Sequence, residues 1–362
     1  MIAVGSYDKQ GGTNTFVRNL SENLSKNEIF TLVMPHKLKG ENFQNRDINK
    51  NLVVRYFPAF PRIRYFPPLY LLRFILMAIL IVPIILKHKI NIILTGETEA
   101  LPFMIAKLFG IKVVIRGGNP FPAVTKVEYE KNTGKRGVFI SKLIDIYEYI
   151  ILRLASKIVI LSEWEREILK NYTKKDFEII RYAVNTDKFK DFKGKRAGLL
   201  YVGRISASKN IEKLIEIFDN IRSKKKCKLY LAGPLEDYDN FEELAKKSKF
   251  EKEIVYLGEK SATEIPSLLN TKEIFVHVAY DLGNAPLEAA ASGLPVVVLG
   301  EKFDERYIIK CKNEKDYVKK VLELLNSKKK IEELKKNNFS YIMKNHSWKN
   351  ITNKYIRLFS KL

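Results

Sequence analysis

Several residue types that would narrow the chemistry are scarce in this chain. Two cysteines in 362 residues, Cys227 and Cys311, stand far apart with no metal-type spacing. They exclude a disulfide scaffold and read as reduced thiols on a cytosolic side. The four histidines, His36, His88, His277 and His346, lack ligand spacing and read as structural residues. With 13 prolines, 18 glycines, 46% hydrophobic and 29% charged residues, the composition is globular, which excludes a low-complexity or disordered chain. Asp237 and Asp239, on either side of Tyr238, read as a loop rather than a metal motif. No signal peptide is read, since Met1 leads straight into an Ile2-Ala3-Val4 strand, and the expected location is cytoplasmic.

Acid is also scarce. Against 64 Lys and Arg there are 41 Asp and Glu, a net charge of +23. That balance points to an anionic partner: nucleic acid, a lipid surface or phosphorylated substrates. Nucleic acid is the weakest of the three, because the basic residues do not gather on one helix beside stacking aromatics and no binding motif is present. Between Ile48 and Thr95 there is no acidic residue, while Lys50, Arg55, Arg62, Arg64, Arg73, Lys87 and Lys89 are interleaved with aromatics and prolines. Within this stretch, Leu69 to Leu86 is apolar all round except Arg73 and Tyr70. At about 1.5 Å per residue it reaches roughly 27 Å, only just a membrane span. Crossing would leave the strands on either side of it on opposite faces of the bilayer. The expectation is a helix 69–86 half sunk in an anionic membrane surface, its basic and aromatic flanks at the headgroups. The competing reading is a wholly buried core helix.

Elsewhere strands alternate with helices, the pattern of a parallel α/β sheet. Ile2 to Gly5 is a strand, Gly11-Gly12 a loop, and Thr13 to Lys26 a helix with Phe16, Val17, Leu20 and Leu24 at helical spacing. Strand, Gly-Gly loop and helix bring backbone N–H groups near a phosphate, although the dinucleotide fingerprint is missing. Ile90 to Thr95 and Val113 to Arg116 are further strands, and ligands bind beyond strand carboxyl ends, so Glu97, Arg116 and Asn119 are expected to face a cleft. Tyr182 to Gly198 reads as a linker, and the alternation restarts at Leu199. The expected organisation is one α/β domain over 1–181, a second over 182–340, and a closing helix over 341–362.

The stretch around which the second half is organised runs from Gly283 to Val297. Pro286 suits a first helical turn, Gly293 the helix end, and Pro295 the stop beyond it. Glu288 therefore lies in the first turn of a short helix, beside exposed backbone N–H groups: a phosphate pocket with a carboxylate for sugar hydroxyls.

Taken in order, Gly11-Gly12, Arg181 to Phe189, Tyr201-Val202-Gly203-Arg204 with Lys209-Asn210, Leu231 to Pro234, Val255 to Gly258, Gly283 to Val297 and Ser347-Trp348 make the chain resemble the GT-B glycosyltransferases of family 4. That resemblance implies two Rossmann-like parallel-sheet domains facing a cleft, with the C-terminal helix crossing back to the first. It also implies a retaining transfer from a UDP- or GDP-sugar, with no cofactor and no metal. Arg204 and Lys209 match the cations that grip the donor diphosphate, and Glu288 the carboxylate on the ribose hydroxyls. Gly203, Asp281, Gly283, Asn284, Ala285, Pro286 and Leu287 match the donor-binding loops. Tyr256, Leu257, Gly258 and Glu259 match the region beside the nucleobase, and Gly11 and Gly12 the loop approaching from the other domain. Glu97, Arg116 and Asn119 remain the expected acceptor residues. The family's second Glu is replaced here by Tyr280, with Asp281 beside it. This leaves open a catalytically weak, nucleotide-sugar-binding partner of a glycosyltransferase complex. The expected acceptor is a lipid-linked glycan or polyprenyl phosphate, met by a peripheral protein at the inner face of the cell membrane.

Overall fold

The computed structural model describes the chain apart from residues 5, 6, 9–11, 35, 38–43, 59–78, 98, 99, 118–141, 144, 190–193, 239, 279–281 and 301. It divides into two compact units, Met1–Arg181 with Ile351–Leu362, and Tyr182–Asn350.

The first unit carries β1 (Ile2–Val4), α1 (Gly12–Lys26), β2 (Thr31–Met34), β3 (His36–Lys37), β4 (Arg46–Asn49), β5 (Leu52–Val54) and β6 (Phe57–Pro58). A helix over 79–88, here α2, leads into β7 (Ile92–Gly96), a 3-10 helix (Leu101–Phe109) and β8 (Lys112–Arg116). Next come α3 (145–154), β9 (Lys157–Ile160), α4 (Glu163–Leu169) and β10 (Phe177–Ile179). The eight-stranded sheet has the order β10-β9-β8-β7-β1-β2-β5-β4 and is parallel except for β4 at one edge. Its inner strands are apolar on both faces, because helices cover both sides of a parallel sheet. On one face α2, the 3-10 helix and α3 bury Ile81, Ile85, Phe103, Met104, Ile151 and Leu152 with Ile2, Ile93, Val113 and Ile158.

Of the expected helix 69–86, only the part from 79 lies among the described residues, and it does two things at once. Ile81 and Ile85 are buried in the core, whereas Ile79, Leu80 and Leu86 are exposed. No helix among the described residues is long and apolar enough to cross a membrane.

The second unit has β11 (Leu199–Val202), α5 (Ile211–Arg222), β12 (Leu229–Ala232), α6 (Phe241–Ala245), β13 (Ile254–Tyr256), α7 (Ile265–Leu269) and β14 (Ile274–His277). Then follow α8 (Ala285–Ala291), β15 (Val296–Leu299), β16 (Ile308–Cys311), α9 (Glu314–Leu325), α10 (Lys328–Asn345) and α11 (Trp348–Phe359), whose larger part joins the first unit. All six strands are parallel, in the order β13-β12-β11-β14-β15-β16. β11 leads outward to β12 and β13 on one side, and β14 to β15 and β16 on the other. The gap between β11 and β14 is therefore a topological switch point, where two outgoing loops diverge and leave a crevice at the carboxyl edge. Tyr317 of α9 fastens the neighbouring pair β14 and β15: its hydroxyl accepts from His277 N at 3.0 Å and donates to Val297 O at 3.1 Å.

Two details differ from the sequence expectation. The chain rejoins the first unit at Ile351, not at 341, because α10 continues without a break to Asn345 and packs against α8. The strands β4 and β16 also went unread. β4 is a polar, fully exposed edge segment, and β16 is a short edge strand with half its residues exposed or half-exposed.

Candidate functional site

The crevice at the β11/β14 switch point is built from glycines and small loops. Beyond β11, β12 and β13 the main chain continues as a ladder. Gly203 N donates to Ala232 O at 2.9 Å, Ile205 N to Pro234 O at 2.8 Å and Gly233 N to Gly258 O at 2.9 Å. Gly233 is fixed as glycine by this packing. Its φ is +143°, and a Cβ there would stand 1.9 Å from Gly203 O, an overlap with backbone that no side-chain movement relieves.

Arg204 sits directly on this floor. Its carbonyl accepts from the Tyr201 hydroxyl at 3.1 Å, and its half-exposed guanidinium donates to Glu236 at 3.0 Å. An exposed ion pair of this kind is worth at most about 1 kcal/mol, so the guanidinium can be drawn to a better anion at small cost. Lys209 ends the 3-10 helix Ala207–Lys209. Asn210 follows in the left-handed region, φ 55°, and its amide donates to Val278 O at 3.4 Å. That bond ties the loop after β11 to the end of β14, across the switch point.

On the β14 side, Gly283 turns with φ +62° into Asn284, whose Oδ1 is buried with no hydrogen-bonding partner among the described residues. α8 then runs to Ala291 and ends as the sequence implies. Leu294 N donates to Ala289 O and Gly293 N to Ala290 O, a Schellman closure with Gly293 in the left-handed position. The half-buried Glu288 carboxyl is pushed up to about 7 by desolvation, and Lys188, from the segment entering the second unit, pulls the other way.

Thus Gly203, Arg204, Lys209, Gly258, Gly283, Asn284 and Glu288 all lie at the carboxyl edge of one sheet, and those of Arg204 and Glu288 flank its switch point. Two corrections apply. Leu287 turns its side chain into the core, and Pro286 is buried beside it, so only backbone there, together with the partly buried Ala285, can meet a ligand. Tyr256 stacks on Phe241, with ring centroids 4.9 Å apart, and donates its hydroxyl to Gly233 O at 2.9 Å. It shapes the floor, while Leu257 extends the ladder through Leu231 O and Glu259 is exposed. Gly11, Asn119 and Asp281, as well as Tyr280, lie outside the described residues.

In the first unit Gly12 opens α1, after β1. Glu97 and Arg116 follow β7 and end β8, as their positions imply, but both are buried, at 6% and 7% exposure. The Arg116 guanidinium lies 3.7 Å from the Phe16 ring centroid and beside the buried Tyr355 of α11. Its guanidinium is directed inward, a correction to the expectation that it faces an open cleft. Glu97 and Glu165 approach Gly117 from two sides: a Cβ there would lie 3.0 Å from one carboxylate and 3.1 Å from the other. Sequence reasoning missed Lys188, Glu236 and Glu165. Only Lys188 had a signal, since it lies inside the Arg181 to Phe189 segment already singled out. Among the described residues no group of three His, Cys, Asp or Glu could hold a metal ion.

Two cations on one side of a crevice and a carboxylate on the other can bind a polyanion together with a diol. Comparison with known proteins gives this arrangement a family. Residues 184–341 match the model for glycosyl transferases group 1, and residues 10–188 match that for glycosyltransferase family 4. The chain belongs to the GT-B glycosyltransferases. An uncharacterised glycosyltransferase of Methanocaldococcus jannaschii is 32% identical over 102 residues, a match spanning 28% of this chain and 26% of that protein. Among solved structures, the sucrose-phosphate synthase of Thermosynechococcus elongatus shares the fold with a TM-score of 0.81 at 15% identity, over 99% of this chain and 98% of that one. WaaG, described as a glycosyltransferase involved in lipopolysaccharide biosynthesis, aligns at a TM-score of 0.68 and 14% identity over 98% of both chains. A trehalose-6-phosphate protein of E. coli, bound with UDP-2-fluoro glucose, aligns at 0.73 and 10% identity over 100% of this chain and 99% of that one. In this GT-B glycosyltransferase the group 1 match contains every donor-side residue discussed above from Lys188 to Glu288.

Proposed function

We propose that this protein transfers a sugar, with retention of anomeric configuration, from a UDP- or GDP-sugar to a membrane-associated acceptor, a lipid-linked glycan or a polyprenyl phosphate. The observation that carries this reading is the placement of Arg204 and Glu288 on the two loops that diverge at the β11/β14 switch point. In this reading Glu288, as carboxylate, accepts from the ribose hydroxyls. Arg204 exchanges Glu236 for the diphosphate, and Lys209 adds a second cation. As the sugar–phosphate bond breaks, negative charge grows on the leaving oxygen, and the two cations stabilise it without a metal. The acceptor oxygen attacks from the face the leaving group departs from. A glycan hydroxyl passes its proton to the departing phosphate oxygen and gives a glycoside, whereas the anionic oxygen of a polyprenyl phosphate attacks without one and gives a glycosyl phosphate. The nucleoside diphosphate leaves in both cases. The UDP-sugar analogue named for the E. coli structure and the lipopolysaccharide role named for WaaG support the donor and acceptor classes.

The test is a thermal-shift screen of nucleotides and nucleotide sugars, then nucleoside diphosphate release with lipid-linked acceptors. The anomeric configuration of the product is read by NMR. A screen in which no nucleotide sugar raises the melting point refutes the donor assignment.

A further inference from the structure

We propose that the outer face of α3, continued by the end of the 3-10 helix Leu101–Phe109, is a docking surface for an anionic lipid membrane. The observation is a helix that is apolar on both sides. Toward the sheet α3 buries Glu148, Ile151 and Leu152. Away from it, Ile146, Ile150 and Leu154 are exposed four residues apart, one stripe along the helix, and Leu143 just ahead of it is exposed too. Ile146 is 56% exposed, and Leu108, at the end of the 3-10 helix, is 82% exposed beside the half-exposed Phe109. The two segments adjoin, because Lys107 Nζ donates to Leu154 O. α2 packs on the same sheet face and adds exposed Ile79, Leu80 and Leu86 to the same outer layer.

Isolated exposed apolar residues need no explanation, but a stripe repeated on three neighbouring helices does. The charge around it selects the occupant. Arg153 borders the stripe on α3 and Lys142 lies just ahead of that helix, Lys107 and Lys175 close its end, and Lys87 lies in the last turn of α2. Arg153 lies over the exposed Tyr149 ring, 3.9 Å from its centroid, an amphipathic aromatic and a cation at the polar border of an apolar face. The acids of α3 oppose this sign only in part. Glu148 is fully buried with its carboxyl held protonated, up to about 8, and Asp145 accepts from the Tyr172 hydroxyl at 2.7 Å. α2 and the 3-10 helix contain no acid. An apolar stripe whose border is mainly cationic among the described residues, with Asp145 the exception, matches hydrocarbon beneath anionic headgroups, the arrangement of a helix lying in the interface plane. The placement deepens the membrane-acceptor reading given above, and it extends the stretch 50–89 that the sequence singled out onto α3 and the 3-10 helix, which lie outside it.

The test is co-sedimentation of the full chain with sucrose-loaded vesicles, either phosphatidylcholine alone or equimolar phosphatidylcholine and phosphatidylglycerol. The wild type should bind the anionic vesicles and bind them less as salt rises. Ile146→Glu with Ile150→Glu, and separately Leu108→Glu with Phe109→Glu, should each weaken that binding by at least about tenfold while leaving the melting temperature unchanged. Nucleotide-sugar binding, read by thermal shift on the same variants, should not move. The inference is overturned if either pair binds vesicles as the wild type does, or if the wild type pellets with neither vesicle. It is also overturned if the stripe proves to be a self-association face, with a wild-type dimer that the substitutions convert to a monomer still able to bind vesicles. If vesicle binding behaves as expected but no nucleotide sugar binds, the transferase reading fails and the docking surface stands.

Discussion

If Glu288 holds the ribose hydroxyls, donor affinity must depend on pH near neutrality. The carboxyl is pushed up to about 7 because it is half-buried at the start of α8, with only Lys188 to favour the charged form. Only the carboxylate can accept from two hydroxyls, so below about pH 7 each unit of acidity should weaken binding nearly tenfold, with a plateau above about pH 8. Binding at pH 6 should release close to one proton, which calorimetry in buffers of different ionisation enthalpy reads directly. The same shift has a cost for the empty protein. An acid whose folded value lies above its unfolded value of 4.5 keeps its proton in the native state while the unfolded chain releases it. Stability therefore falls as pH rises from about 4.5 to about 7, by at most about 3 kcal/mol, and is constant above that range. Glu288→Gln removes this dependence. It should leave stability at pH 5 unchanged, raise it by about 1 to 3 kcal/mol at pH 8, and abolish the pH dependence of a much weakened donor affinity. Urea melts and titrations of the nucleotide at the two pH values check both halves. A pH-flat affinity that survives Glu288→Gln would refute the assignment of Glu288 to the ribose.

Arg204→Ala should lower turnover by roughly 10²- to 10³-fold, the usual effect of removing one group that stabilises developing charge. The fold should be unaffected, since only the exposed pair with Glu236 is lost, and nucleoside diphosphate release and a thermal melt measure the two effects. Gly233→Ala forces a Cβ to within 1.9 Å of Gly203 O and should destabilise the second unit by about 3 kcal/mol or more, read as a lowered denaturant midpoint together with lost nucleotide binding. Glu148→Gln should stabilise the protein increasingly as pH rises from 5 to 8. Burial, with Asp145 adding to it, holds that carboxyl up to about 8. Holding the proton costs on the order of 1 kcal/mol per pH unit across that window. Melts at the two ends of the range test it.

What was legible in the sequence was local. Pro286, Gly293 and Pro295 act within a few residues of their own positions, and each side chain or missing atom determines one backbone step, so the ends of α8 could be read directly. The apolar runs of β11, β12 and β14 reveal strands buried on both faces, and their alternation with amphipathic helices such as α5 implies the parallel sheet. From there the carboxyl edge follows by topology, which is why Arg204 and Glu288 could be assigned to the same edge before any coordinates.

Arg116 shows where this kind of reading stops. Its position, last in β8, was read correctly, but position alone says nothing about which partners receive the side chain. Phe16 comes from α1, early in the chain, and Tyr355 from α11, which returns to the first unit only after the whole second unit has been completed. A guanidinium packed on the Phe16 ring and beside the Tyr355 hydroxyl loses its access to water, and no motif near residue 116 encodes that. The same holds for Glu288: burial pushes its carboxyl up to about 7 against the pull of Lys188, a residue from which it is separated in the chain by β11 to β14. Motifs therefore locate chemistry along the chain, while the strength of that chemistry, a cation turned inward or a carboxyl half-ionised at pH 7, is decided by contacts between residues far apart in sequence.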